Sequence, residues 1–222
     1  NSVVLNVNNE VLTTEFITLD KSLLGKVTLD TFQFEDVQLG IYDTKQLASL
    51  LGVLNDDINL TVVKSQDKVV SVKFEDSYAS INYMLSDLSV IPDVPQMKSV
   101  PEFELSLKID SLFIAKFISG KNALAESETF TVLTDANTDS CKFVINYSAI
   151  NTNRVNLPVT VDTFNDVGPL SFNAELFSKV LQANKECESA SMEISSKGLA
   201  RASFKVDNYE AVYNLVASQS VD

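Results

Sequence analysis

One order of elements occurs twice in this sequence, and the repeat constrains the fold more than any other feature. In the first half, Ile41-Tyr42-Asp43 precedes a helical stretch and three short β-like runs that end at Leu85. The same order returns from Ser171-Phe172-Asn173, and the two candidate cap residues, Asp43 and Asn173, lie 130 positions apart. Repetition at this scale predicts two similar halves, each of ordinary domain size.

Hydrophobic periodicity predicts both helices and strands in each half. Apolar residues recur at helical spacing in three segments, 44–54, 109–122 and 174–185. The remaining apolar runs are short, rich in β-branched residues and separated by turn residues such as Asn8-Asn9 and Asp207-Asn208. β-rich halves with helices at fixed points predict an α+β fold.

A proline-containing stretch, 88–101, separates the two halves. It holds three of the five prolines, and proline lacks the N–H that a sheet ladder requires, so the stretch is predicted to be a linker. The predicted domains are 1–87 and 102–222. The second half is predicted to open with a helix at Ile109, whereas the first half starts in a strand, so a further helix is expected upstream of Asn1.

Composition makes several kinds of active site improbable. The chain has no histidine, the commonest general base and metal ligand, and only 6 glycines for phosphate-binding loops. Cys141 and Cys187 lie far apart in sequence and are predicted to be buried thiols in a reducing compartment. No apolar run is long enough to cross a membrane. We therefore expect neither an enzyme nor a bound metal or other cofactor.

The charge distribution differs between the helices and the rest of the chain. The formal net charge is −13, yet the segments 44–54, 108–122 and 174–185 together carry +4, which leaves −17 for the remainder. One interpretation is a surface that faces a polyanion while the rest of the protein repels it. The other is that these lysines are ordinary solubilising residues or complement helix C-termini.

The passage Phe34-Glu35-Asp36-Val37-Gln38-Leu39-Gly40-Ile41-Tyr42-Asp43, followed by Val53-Leu54-Asn55-Asp56-Asp57, resembles the sliding clamp of T-even-type bacteriophages. That family is the DNA polymerase processivity factor. The linker, the 108–122 helix and the 199–217 hairpin match it in order and spacing. The resemblance implies a DNA-clamp fold with two similar domains per subunit. It also implies a homotrimeric ring with a β-sheet outer shell and helices that line the channel for duplex DNA.

The resemblance also implies site residues and partners. The implied DNA-channel residues are Lys45, Lys108, Lys116, Lys121, Lys179 and Lys185. The implied pocket for partner peptides contains Val90, Ile91, Pro92, Leu215 and Val216, for which linker packing and strand core are the alternative interpretation. The implied partners are duplex DNA, the replicative polymerase, a clamp loader and late-transcription factors, in the cytoplasm of an infected bacterial host and without membrane binding. The alternative function is a β-rich viral structural protein of a tail or capsid.

Overall fold

A computed structural model describes residues 2–55, 57–66, 68–148, 150, 152–187 and 189–218. The chain divides into two compact units. Unit 1 comprises Asn1–Phe16 and Thr28–Pro95, and unit 2 comprises Ile17–Val27 and Gln96–Asp222. The domain limits given above remain a prediction. The two units differ from them chiefly because residues 17–27 belong to unit 2, with the C-terminal half. Asp56, which belongs to the passage quoted for the resemblance, lies outside the described residues, as does Asp67.

The described chain forms fifteen strands and three α-helices. The first strands are β1 (Val3–Asn8), β2 (Val11–Ile17), β3 (Leu23–Leu29) and β4 (Val37–Ile41), followed by helix α1 (Thr44–Leu51). Then come β5 (Asn59–Ser65), β6 (Lys68–Glu75), β7 (Ser80–Met84), a single 3-10 turn (Leu88–Val90), β8 (Leu105–Asp110) and α2 (Ser111–Ala123). The chain continues through β9 (Thr129–Asp135), β10 (Ser140–Ile145), β11 (Val155–Thr163), β12 (Leu170–Asn173) and α3 (Ala174–Ala183). It closes with β13 (Ser189–Ser195), β14 (Leu199–Val206) and β15 (Tyr209–Val216).

Strand pairing in the two units follows the repeat. In unit 1, β1 pairs antiparallel with β2 and β4, and β5, β6 and β7 form a separate antiparallel sheet. In unit 2, β9 pairs in the same way with β10 and β12, and β13, β14 and β15 are consecutive neighbours. The structure therefore confirms that one order of elements is used twice.

The helix caps confirm the register of the repeat. The Asp43 carboxylate accepts hydrogen bonds from the backbone N–H groups of Lys45 and Gln46 at 2.9 and 3.0 Å. The Asn173 side-chain oxygen accepts one from the N–H of Leu176 at 2.8 Å. Each cap satisfies N–H groups that have no partner inside the helix, which fixes where α1 and α3 begin.

The predicted start of the second half is wrong, because a strand precedes its first helix. Ile109 lies in β8, fully buried and paired with Ala190 of β13. Leu105, Leu107 and Ile109 alternate with polar residues at the period of a strand. Asp110 then accepts a hydrogen bond from the Phe113 N–H at 2.7 Å and begins α2.

The core of unit 2 is an aromatic cluster beneath α2 and α3. The ring of Phe117 on α2 meets Phe177 of α3 edge-on at 4.9 Å and Phe130 of β9 at 5.2 Å. Phe130 stacks on Phe143 of β10 at 5.1 Å. These contacts join both helices to one face of the sheet. No helix within the described residues is long and apolar enough to cross a membrane.

The corresponding helix of unit 1 is packed less deeply. α1 has no buried residue, and its leucine stripe of Leu47, Leu50 and Leu51 is half-buried. The repeat partners of these leucines, Phe177, Val180 and Leu181, are all buried in unit 2. The two halves therefore share an order of elements but differ in how tightly the helix is covered.

Candidate nucleic-acid interface

In unit 2 the two packed helices leave an outward side that we call the helix face. Phe113 and Phe117 anchor α2 to the sheet, and Phe177 and Leu181 anchor α3. The exposed residues of the helix face are Ser111, Leu112, Ala115, Lys116, Ser119, Asn122 and Ala123 of α2, with Glu175, Lys179, Gln182 and Ala183 of α3. Small and polar side chains dominate this surface, so two lysines and one glutamate set its charge.

Lys116 is the least constrained cation of the helix face. It is exposed, and no ion pair among the described residues includes it. α2 contains no aspartate or glutamate, so no residue of the same helix neutralises it. Its ammonium group is available to an external anion.

Lys121 has a structural role. Its side chain is only 7% exposed. The ammonium donates to the Ala125 carbonyl at 2.7 Å and lies 3.3 Å from the Glu175 carboxylate. It thus satisfies a carbonyl that follows the end of α2 and links α2 to α3. We therefore leave Lys121 out of the candidate interface, although the resemblance implies a channel position for it.

Glu175 holds two lysines at once. Its carboxylate lies 3.1 Å from the Lys179 ammonium, one helical turn along α3, and 3.3 Å from that of Lys121. Hydrogen bonds from Lys179 first, and then from Lys121, lower the pKa of Glu175 below its usual value of 4.5. Glu175 is therefore ionised at neutral pH and competes with external anions for Lys179.

The other two implied lysines of unit 2 differ in their surroundings. Lys108 lies in β8, not on a helix, and its ammonium is 3.0 Å from the Asp162 carboxylate of β11. Lys185 is exposed and follows Asn184, the C-cap of α3. No ion pair among the described residues includes Lys185. Lys185 fits an anion-binding surface better than Lys108 does.

Unit 1 presents a basic helix of its own. Lys45 is exposed in the first turn of α1, a helix that contains no acidic residue. No ion pair among the described residues includes Lys45. Gln46, Ala48 and Ser49 are also exposed on α1. Unit 1 therefore presents a small surface of the same chemical type as the helix face of unit 2.

The linker residues of the implied peptide pocket divide between surface and interior. Val90 is 54% exposed and Pro92 is exposed, but Ile91 is buried in unit 1. Ile91 lies close to Gly40, where an added Cβ would be 3.1 Å from its Cδ1 and 2.4 Å from the Ser86 carbonyl oxygen. Only glycine permits this close approach of β4 to the start of the linker. Ile91 therefore anchors the linker, as the alternative interpretation predicts.

The unit 2 residues of that pocket also divide. Leu215 is buried in β15, whereas Val216 is 49% exposed. The Val216 N–H donates to the Ser22 carbonyl at 2.9 Å, which brings the turn between β2 and β3 beside it. Leu19 in that turn is 95% exposed. Leu19 and Val216 are thus exposed apolar side chains of unit 2 on two segments that this hydrogen bond joins.

Sequence reasoning missed two functional candidates, Leu19 and Glu175. The signal for Leu19 is the Asp20-Lys21-Ser22 sequence that follows it, which indicates a turn. The signal for Glu175 is its spacing of four from Lys179, which indicates an ion pair. Both cysteines are buried, as predicted. No group of three potential metal ligands occurs within the described ranges.

No protein-family model matches the sequence, and no curated protein matches it. Among solved structures, the chain is similar to proliferating cellular nuclear antigen from Entamoeba histolytica, with a TM-score of 0.76. The two sequences are 14% identical, and the likeness covers 98% of this chain and 89% of that one. The predicted fold class is therefore confirmed, since the chain has the α+β DNA-clamp fold with two domains.

Because Lys121 is buried and Lys116 is exposed, their substitution by alanine is expected to affect the stability of the protein differently. We expect Lys121→Ala to lower the free energy of unfolding by about 1–3 kcal/mol, because a buried side chain is truncated and the Ala125 carbonyl loses its donor. Lys116→Ala, on the same helix, is expected to change it by no more than about 0.5 kcal/mol. Urea unfolding of both variants measures this difference. Equal midpoints would contradict the structural role of Lys121.

Proposed function

We propose that this chain is the subunit of a ring-shaped sliding clamp that encircles duplex DNA and tethers the replicative polymerase for processive synthesis. The DNA-clamp fold supports the proposal, since the similar solved structure is a sliding clamp. The resemblance of the 34–57 region to phage clamps supports it independently. A clamp acts by tethering, so the proposal needs no catalytic residue, metal or cofactor.

The observation that carries the proposal is where the positive charge lies. The chain has a net charge of −13, yet α1 and α2 contain lysine and no acidic residue. An acidic body repels DNA, and helices that present cations without a carboxylate of their own weaken that repulsion locally, which favours contact of a duplex with the helices.

The mechanism of such a ring requires weak contacts. Enclosure prevents dissociation, so phosphate contacts need only centre the duplex, and sequence readout would impede sliding. Lys45, Lys116, Lys179 and Lys185 are exposed and suit this role. Lys108 is engaged by Asp162 and contributes less. Long, flexible lysines form point-charge contacts that exchange readily between phosphates.

Partner proteins dock through short apolar peptides in this proposal. In unit 2, the candidate surface is Leu19 with Val216, and in unit 1 it is Val90 with Pro92. Each presents apolar side chains to solvent, where a peptide could remove them from water. Ile91 and Leu215 support these surfaces from beneath and are not contact residues.

Finer parts of the proposal rest on the sequence resemblance. They are a clamp of the T-even bacteriophage type, assembly as a homotrimer, opening by a clamp loader and a role with late-transcription factors. Under this proposal the protein acts in the cytoplasm of the infected bacterial host. The paired edges of the β-sheets would join the subunits, because edge strands have unpaired N–H and C=O groups.

Assembly is tested by light scattering across a concentration series. We expect the mass to approach three times that of one chain as the concentration rises, because ring closure follows mass action. A chain that remains monomeric throughout, and that does not stimulate its polymerase when loader is supplied, would contradict the ring. A large polydisperse assembly would favour the structural-protein alternative.

The channel residues are tested by charge reversal. We expect the double variant Lys116→Glu and Lys179→Glu to lower clamp-dependent DNA synthesis on a circular template about tenfold or more, since two phosphate contacts become repulsive. The product length and the oligomer mass are measured together. Lys142→Glu on β10 is the control for each single reversal, Lys116→Glu and Lys179→Glu. Its neighbours Cys141 and Phe143 are buried, so Lys142 lies on the opposite side of the sheet from the helices. Equal processivity in the double variant and the wild type would reject the channel assignment.

The peptide surface of unit 2 is tested by a change of polarity at Leu19. We expect Leu19→Asp to weaken binding of a short apolar peptide from the polymerase about tenfold or more, because an apolar anchor is replaced by a charge. Isothermal titration with the peptide measures the affinity. Tyr78→Asp is the control, because Tyr78 is also highly exposed but lies in unit 1 at the turn between β6 and β7. Similar losses from both variants would contradict a docking site at Leu19.

A further inference from the structure

Glu175 is the sole acidic residue within the three helices. The sequences of α1 (Thr44–Leu51), α2 (Ser111–Ala123) and α3 (Ala174–Ala183) contain no other aspartate or glutamate. All residues of these helices belong to the described part of the chain. The three helices proposed to bind DNA therefore contain one carboxylate side chain, and it belongs to the helix face.

The residues at the helix position of Glu175 carry opposite charges in the two halves. At the repeat offset of 130 positions, Glu175 corresponds to Lys45, and both occupy the first turn of their helix. Lys179 corresponds to Ser49. Unit 1 thus has a lysine with no ion pair among the described residues, where unit 2 has a glutamate with its own lysine one turn later.

The geometry shows what Glu175 does to Lys179. The two side chains are 53% and 66% exposed and 3.1 Å apart, at the i,i+4 spacing that favours an ion pair. An exposed pair of this kind is weak, so a phosphate can displace the carboxylate but must compete with it. Glu175 is itself held in place by the buried Lys121, so it does not swing away when Lys179 leaves.

We propose that Glu175 is an internal counter-ion that limits how strongly Lys179 holds DNA. This inference rests on the proposed function and adds a positioning residue to it. Each phosphate that binds Lys179 must first replace Glu175, and Glu175 recaptures the ammonium when the phosphate moves on. Contact strength at α3 is thereby kept below that of an unpaired lysine, which favours movement along the duplex over retention at one place.

The inference is tested with Glu175→Gln. Glutamine keeps an acceptor oxygen for Lys121 and removes the charge, so folding is expected to be preserved. We expect the affinity for a short fluorescent duplex to rise about three- to tenfold at low salt. The slope of log affinity against log salt is expected to steepen by up to about 0.9 per protomer, because Glu175 no longer takes up a cation when a phosphate displaces it from Lys179. A purely structural role would not change that slope.

A matched control removes the general effect of net charge. Glu210→Gln breaks an exposed ion pair of the same kind, 2.8 Å from Lys205, on the hairpin of β14 and β15. It changes the net charge by the same amount, away from the helices. We expect it to leave the affinity and the salt slope unchanged. An equal gain in this control would show a non-specific charge effect and overturn the role of Glu175.

A double variant separates action through Lys179 from direct repulsion of DNA. In the Lys179→Gln background, Glu175→Gln is expected to have little effect, because the lysine that it releases is absent. A full gain in that background would overturn the counter-ion mechanism. If Glu175→Gln changes nothing while Lys116→Gln and Lys179→Gln weaken binding, the inference fails and the proposed function stands. If the lysine variants also leave DNA binding unchanged, the proposed function fails.

Discussion

Contacts among phenylalanine rings determine which lysines of unit 2 reach solvent. Phe117 touches Phe130 of the sheet and Phe177 of α3, so it fixes the rotation of α2 about its axis. Close-packed interiors do not tolerate rotation of such a helix. Lys121 is four residues after Phe117 and lies on the same, buried side, whereas Lys116 points outward. The electrostatics of the helix face thus follow from the packing of its apolar side.

The two halves share one order of elements but differ in how deeply their helices are buried. Asp43 and Asn173 begin α1 and α3 at equivalent positions, and three antiparallel strands follow each helix. In unit 2 the stripe of α3 is fully buried, but in unit 1 the leucines of α1 are half-buried. Helix stability in proteins comes mainly from tertiary packing, so α1 depends more on its cap and α3 more on its core.

The sequence predicts the order of elements well and the orientation of side chains poorly. Period and caps are local signals, so the repeat and the presence of all three helices are confirmed. β8 was missed because Ile109 fits the helical stripe of α2 as well as the alternation of a strand. The resemblance implies a channel position for Lys121, but the side chain is buried and its ammonium lies beside Glu175, which is more than 50 positions away in sequence. The spacing of Lys121 from Phe117 already indicated a buried face.

The sequence also does not predict which residues of the implied peptide pocket are exposed. Val90, Ile91 and Pro92 are adjacent, yet only the middle one is buried, because Gly40 admits the linker against β4. Leu19 became a candidate only when the Val216–Ser22 hydrogen bond placed its turn beside β15. Such contacts join segments that are distant in the chain, and no local pattern records them.

The burial of both cysteines gives the protein an unreactive thiol background. Burial raises the pKa of the Cys141 thiol to about 12 and raises that of Cys187 as well. Only the thiolate is a good nucleophile, so neither residue reacts readily with maleimide at neutral pH. A cysteine introduced on an exposed turn could therefore carry a single fluorophore without removal of the native thiols, and the movement of one molecule on DNA could be followed directly.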